Sequence, residues 1–226
     1  MISLSLAALS FIGIHLGVSG TTLRDRIVAR FGFRNYMLGF SAGSVATMVW
    51  LVMAYVGAGY VPLWGMLQWW KPFAIALMLP AFLLVVIGLA TPNPTAVGQE
   101  GLVDRGPSGI VRVTRHPFLV GVALWAAVHL IGNGDVASFL FFAALLVVAG
   151  AGTVSIDAKR RRAVGAKSWD AFTQQTSILP FSAILAGRNR LAMGEIGWKW
   201  PAVGVLAYVL MLGGHKHLIG ISPFPW

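Results

Sequence analysis

Residues 109–131 read Gly109-Ile-Val-Arg-Val-Thr-Arg-His-Pro-Phe-Leu-Val-Gly-Val-Ala-Leu-Trp-Ala-Ala-Val-His-Leu-Ile131. The stretch enters on Arg112, Arg115 and His116, passes Pro117, and is then apolar until His129. A helix that crosses a bilayer needs about 20 mostly apolar residues, and this run comes close to that length. An ionisable side chain inside such a helix is costly, which makes it a candidate functional group.

Composition extends that reading to the whole chain. Of 226 residues, 57% are hydrophobic and only 11% charged, and the mean hydropathy is +0.77. Soluble domains carry about 25% charged residues, so most of this surface must face a lipid bilayer. The expected fold is an all-α integral membrane bundle of about six transmembrane helices, one membrane domain over residues 1–226. Candidate spans are about 2–19, 37–57, 72–90, 112–132, 136–155 and 200–219.

Seventeen Lys and Arg against seven Asp and Glu give a net charge of +10. Fifteen of these seventeen basic residues fall in the connections 20–36, 91–115 and 156–199, and none lies in 58–70 or 132–136. Charge placed this way orients spans and meets anionic headgroups, so nucleic acid is not an expected partner. The positive-inside rule puts the three basic connections in the cytoplasm and both termini outside, as in a bacterial inner membrane. The absence of cysteine excludes disulfides and thiolate ligation. No basic n-region or cleavage site opens the chain, so its first apolar run reads as a retained span.

Small residues at Ser10, Gly13, Gly17, Gly20, Gly39, Gly43 and Ala46 suggest close helix packing. Tyr60, Trp64, Trp69, Trp70, Trp198, Trp200 and Trp226 gather at expected span ends as an interfacial belt. The segment 156–199 joins a basic cluster to Trp169, Phe172 and Phe181. It either lies in the interface as an amphipathic helix or lids the cytoplasmic ends of the bundle.

Five histidines are the main chemical resource: His15, His116, His129, His215 and His217. His15 and His129 stand in separate apolar spans, an arrangement that can hold a planar cofactor such as haem between helices. Each can equally bond a carbonyl or hydroxyl of a neighbouring helix. His215 and His217 flank Lys216 and read as an outer-interface cap. Arg112, Arg115 and His116 are expected to cluster near residues 176–181, with Arg115 and His116 as candidate catalytic residues; headgroup contacts are the alternative. No nucleotide-binding glycine loop or nucleophile elbow is present. The seven acids lie in connections or at span ends, and Asp157 is the one of chemical interest.

These residues carry a resemblance. The run Gly109 to Pro117, then Gly121, Trp125 to His129 and Gly132-Asn133, then Asp157, Gly165, Phe172, Thr176 to Ile184 and Pro225-Trp226, resembles the NnrU family of membrane proteins. It is also similar to the related 15-cis-zeta-carotene isomerases. The resemblance implies haem b, with His15 and His129 as axial ligands of the haem iron, and a cis-to-trans change at a polyene double bond without net oxidation. The expected substrate is a hydrophobic, polyene-like small molecule. The isomerases place a cysteine three residues before the second histidine, where this chain has Ala126. The NnrU name also implies an alternative, a non-enzymatic accessory or sensor in nitrite and nitric oxide respiration. A wider similarity runs to isoprenylcysteine-type methyltransferases, whose paired glutamates are replaced here by Asp157 followed by Ala158 and Lys159.

Depth within the membrane bears on the ligand pair. With the fourth span entering at Arg112, His129 falls near its outer end and His15 near the inner end of the first span. The offset is about 15 Å at 1.5 Å per residue, and His116 is the better depth match for His15.

Overall fold

The computed structural model describes residues 1–225; Trp226, expected in the aromatic belt, lies outside the described residues. The elements are α1 (Ile2–Ile12), a π-helical turn (Gly13–Val18), α2 (Thr22–Phe31), α3 (Phe33–Val56), α4 (Lys71–Ala90), α5 (Pro117–Asn133), α6 (Val136–Val164), α7 (Ala166–Gln175), α8 (Ser182–Leu185), α9 (Met193–Ile196) and α10 (Lys199–Ile219). Short 3-10 turns fill Glu100–Arg105 and Gly109–Arg112. The all-α membrane architecture stands, with a different count of full-length spans. α3, α4, α6 and α10 are long and apolar enough to cross a bilayer. α1 and α2 make a fifth span only as a pair bent by 75°. α5 is a shorter apolar helix, about 26 Å long at 1.5 Å per residue against a hydrocarbon core of about 30 Å.

α5 begins at Pro117 rather than near residue 112. Proline suits the first helical position, where its missing N–H would have no partner, and it biases the residue before it to extended backbone. The polar residues ahead of it are held in a 3-10 turn and a loop.

The chain forms two compact units, one from Met1–Trp70 with Ala126–Ser155, the other from Lys71–Trp125 with the residues from Ile156 onward. In the first unit α1 packs along α3. Trp50 Nε1 donates to Ser3 Oγ at 3.1 Å, and Gly43 admits Ile14, whose Cδ1 would lie 2.5 Å from an added Cβ. The packing role expected of the small residues holds at Gly43; Gly13, Gly17 and Gly39 have open space where a Cβ would be. Thr21 caps α2 by accepting from the Leu23 N–H at 3.2 Å.

The loop before α6 turns at Gly134, φ +62°. Its carbonyl accepts from the N–H groups of Leu63, Trp64 and Gly65 at 2.9, 3.1 and 2.9 Å. The indole N–H groups of Trp64 and Trp70 donate to the carbonyls of Ile131 and Val128 at 2.9 and 3.0 Å. The Ile131 carbonyl is one of the last four of α5, which a helix leaves without internal partners; the Val128 carbonyl lies one turn earlier. Trp64 of the expected belt thus also caps a helix, and Trp70 braces its last turns.

In the second unit α10 packs on α4, where Tyr208 Oη donates to the Ile75 carbonyl at 3.0 Å. The first turns of α5 cross α4 at Gly88 and Gly121. A Cβ at Gly88 would lie 2.8 Å from Phe118 N, and one at Gly121 would lie 2.8 Å from the Ala81 carbonyl oxygen. Trp169 and Phe172 of α7 are buried with Leu84, Ile87, Val103, Ile110, Val111 and Val113. Of the two readings for segment 156–199, α7 takes the covering one.

The charge pattern fixes an expected orientation. Reporter fusions after residues 59 and 226 should both report the outer side, and one after Arg105 the cytoplasm. Opposite signals at residues 59 and 105 would reverse the topology.

Candidate functional site

The polar residues that precede α5 meet the end of α6, all within the second unit. Arg115 clamps Asp157 through Nε, 3.0 Å from Oδ2, and Nη2, 2.5 Å from Oδ2. The other carboxylate oxygen takes His116, with Nε2 to Oδ1 at 2.7 Å. One carboxylate therefore serves a guanidinium and an imidazole at once. His116 is 2% exposed.

The sequence folds this way because Arg115-His116-Pro117 cannot continue a helix backward from α5, and its backbone groups find partners elsewhere. The Arg115 N–H donates to the Ser177 carbonyl at 3.0 Å. The Arg115 carbonyl accepts from Thr95 Oγ1 at 2.9 Å. Thr114 Oγ1 donates to the Ile178 carbonyl at 2.7 Å, and the Phe181 N–H returns to the Val113 carbonyl at 2.9 Å. Residues 113–115 are thus flanked by loops 93–95 and 177–181. Arg160, one turn past Asp157, donates to the Thr95 and Ala96 carbonyls at 3.1 and 2.7 Å and pairs with Glu100.

Arg112 belongs to a neighbouring cluster. Its Nε and Nη2 bind the Glu195 carboxylate at 2.7 and 2.9 Å, and its Nη1 reaches Asn189 Oδ1 at 2.8 Å. Arg112 and the Gly109 N–H hold the Glu195 carboxyl down to about 2.

Burial pushes the His116 pKa below the usual imidazole value, against the opposing pull of Asp157. At neutral pH the ring is therefore uncharged, with its proton on Nε2 toward the carboxylate. Nδ1 then carries a lone pair, and it is buried without a hydrogen-bond partner. An acidic residue that orients an imidazole and leaves its second nitrogen unprotonated is the arrangement of a general base. Arg115 and His116, read from sequence as catalytic candidates, meet here, and Asp157 joins them across some 40 residues.

His15 and His129 lie in the first unit. His15 Nδ1 sits 2.8 Å from the Phe11 carbonyl, in the π-helical turn, and its ring packs on Phe40 of α3 at 5.5 Å. His129 stacks on Phe142 at 5.0 Å, and Phe142 in turn meets Tyr55 of α3 at 6.1 Å. Phe40 and Tyr55 are 15 residues apart on one continuous helix, about 22 Å along its axis. His15 thus meets α3 at Phe40, and His129 stacks on α6 at Phe142. His15 has a backbone carbonyl partner of the kind that iron-bound histidines use for their second nitrogen.

The buried neutral ring has a pH consequence. Its folded pKa lies below the unfolded value of about 6.5, so the unfolded chain binds the extra proton and stability falls as pH drops below that value. The melting temperature in detergent should decline between pH 7.5 and 5, and His116→Gln should decline less over the same interval. Equal slopes would place the titration elsewhere.

Comparison with known proteins follows this geometry. The profile described as NnrU protein matches residues 3–223. A 15-cis-zeta-carotene isomerase, chloroplastic, of Zea mays is 24% identical over 197 residues, 82% of this chain and 51% of its own length. The protein of the same name from Arabidopsis thaliana is 24% identical over 200 residues, 84% of this chain and 52% of its own. The chain spans about half the length of these curated relatives. No solved structure matches. With nearly every residue inside the matched profile, the chain belongs to the NnrU family.

Proposed function

We propose that this protein is a membrane isomerase of a lipid-soluble, polyene-like substrate, with Arg115, His116 and Asp157 as its polar centre. The observation that carries the reading is the buried, unpartnered Nδ1 of a neutral His116 fixed by Asp157. The distant similarity to carotene isomerases supplies the reaction class.

Cis-to-trans isomerisation has no net redox change, so whatever leaves the substrate must return to it. His116 Nδ1 takes one proton from a carbon next to the conjugated system, and the C–H electron pair spreads over the polyene. The former double bond then rotates as a partial single bond, and the same proton returns to the same carbon. Asp157 stabilises the transient imidazolium, and Arg115 keeps the carboxylate ionised and oriented. His116 is the catalytic residue; Arg115 and Asp157 position it.

The test uses purified protein in lipid vesicles loaded with a cis polyene, with product isomers separated by chromatography. His116→Gln should lower turnover about 100-fold or more, the usual worth of a positioned proton-transfer group, at unchanged helicity. Wild-type turnover by His116→Gln would remove the proton-transfer role and return the family's accessory reading to first place.

The same resemblance implies haem b, with His15 and His129 as the residues that would hold it. Replacing either His15 or His129 by Ala should abolish or alter the visible absorption bands, and replacing His217 should leave them unchanged. Unchanged bands in the His129→Ala protein would remove His129 from the assignment.

A further inference from the structure

The first unit holds a groove that neither the polar centre nor a histidine pair uses. It has a volume of about 450 Å³ and is walled by Ile14 and Val18 of the π-helical turn, Ile27 and Phe31 of α2, and Gly39 and Phe40 of α3. Its lining is almost wholly apolar, with Tyr36 and Asn35 at its edge. Gly39 leaves the groove open, since a Cβ there would touch nothing within 4 Å.

The groove lies behind a helix that turns away from the membrane normal. α2 leaves the first span at 75°, so with α1 crossing the bilayer α2 runs nearly in the interface plane. It carries Arg24, Arg26 and Arg30 against one acid, Asp25, the composition of an interfacial helix that meets anionic lipid. Two of these arginines rest on the groove's own walls. The Arg24 guanidinium lies 5.6 Å from the centre of the Tyr36 ring, and that of Arg30 lies 5.4 Å from the Phe31 ring. Arg24 also donates one N–H to Asp25 at 2.8 Å, which engages one of its five donors.

We infer that this groove holds one anionic phospholipid. An acyl chain fills the apolar slot, the phosphate takes the remaining Arg24 donors at the Tyr36 edge, and Arg26 and Arg30 add attraction within a Debye length. A neutral isoprenoid would fill the slot equally well but would leave the arginine-rich rim without a partner. Charge complementarity therefore selects the anionic lipid. The inference is independent of the isomerase reading.

Native mass spectrometry of the full chain in detergent tests it, with phosphatidylglycerol and phosphatidylcholine of identical acyl chains as probes. The wild type should retain one phosphatidylglycerol with about tenfold preference, in line with the attraction expected of one or two basic residues at a membrane surface. The Arg24→Gln/Arg30→Gln protein should bind both lipids equally, because only the headgroup contact is lost. Gly39→Leu should bind neither, at unchanged helicity and melting temperature, because leucine fills an open slot on a helix that favours it. Equal binding of both lipids by the wild type would overturn the inference, as would full retention in Gly39→Leu. So would a copurified haem or neutral isoprenoid that Gly39→Leu expels.

Discussion

The Asp157 carboxylate, shared between Arg115 and His116, is the contact on which the second unit depends. Two charges in poorly solvated surroundings are costly to separate, and removing one partner of such a pair typically costs about 3–5 kcal/mol. The pair ties the end of α6 to the start of α5. Because Arg115 spends its N–H on Ser177 and its carbonyl on Thr95, loops distant in sequence are drawn to the same point. Arg160 repeats the device one turn later on α6, with Glu100 and the carbonyls of loop 95–96. Arg115 before α5 and Arg160 on α6 thus tie several connections to the end of α6.

Much of the fold was legible because lipid demands it. Backbone groups in hydrocarbon must be satisfied within the segment, so long apolar runs become helices whatever their neighbours. That argument placed α4 and α10 to within a residue at each end and found α3 and α6, although α3 starts at Phe33 rather than 37 and α6 runs on to Val164 rather than 155. It failed where polar chemistry competes with hydropathy. Arg112 to His116 looked like the start of a span by length, yet their side chains are committed to Glu195 and Asp157, so the helix waits for Pro117. The first span ends near residue 19 as expected, at Gly20 and the capping Thr21; what hydropathy did not show is that Thr22–Phe31 of the following connection is itself helical. Trp64 and Trp70 looked like belt residues by position; that their indoles hydrogen-bond the end of α5 depends on a loop geometry set by Gly134.

The site was legible as separate residues rather than as a constellation. Arg115, His116 and Asp157 each stood out for chemistry at a span end, but their union spans two helix termini and has no local spacing to betray it. Two intramembrane histidines invite a common ligand by type, while the rise per residue sets their expected depths apart. In the first unit His15 meets Phe40 of α3 and His129 stacks on Phe142 of α6.

Stability alone does not account for the state of His116. A buried acceptor without a partner costs about 1–3 kcal/mol, and a leucine or phenylalanine in that volume would carry no such cost. Beside it, Phe181 holds φ at +64°, the one non-glycine residue with positive φ among the described residues, a conformation that costs about 1–2 kcal/mol. Its N–H donates to Val113, three residues before His116. Asn189 Nδ2 is another buried nitrogen of the second unit without a hydrogen-bond partner, so such atoms are not confined to His116. Two unfavourable local states thus fall on the segments that enclose one imidazole, and both persist because the Asp157 pair and the flanking backbone bonds hold them. The positive φ of Phe181 and the orphaned His116 nitrogen, on adjoining segments, support the chemistry proposed for this centre.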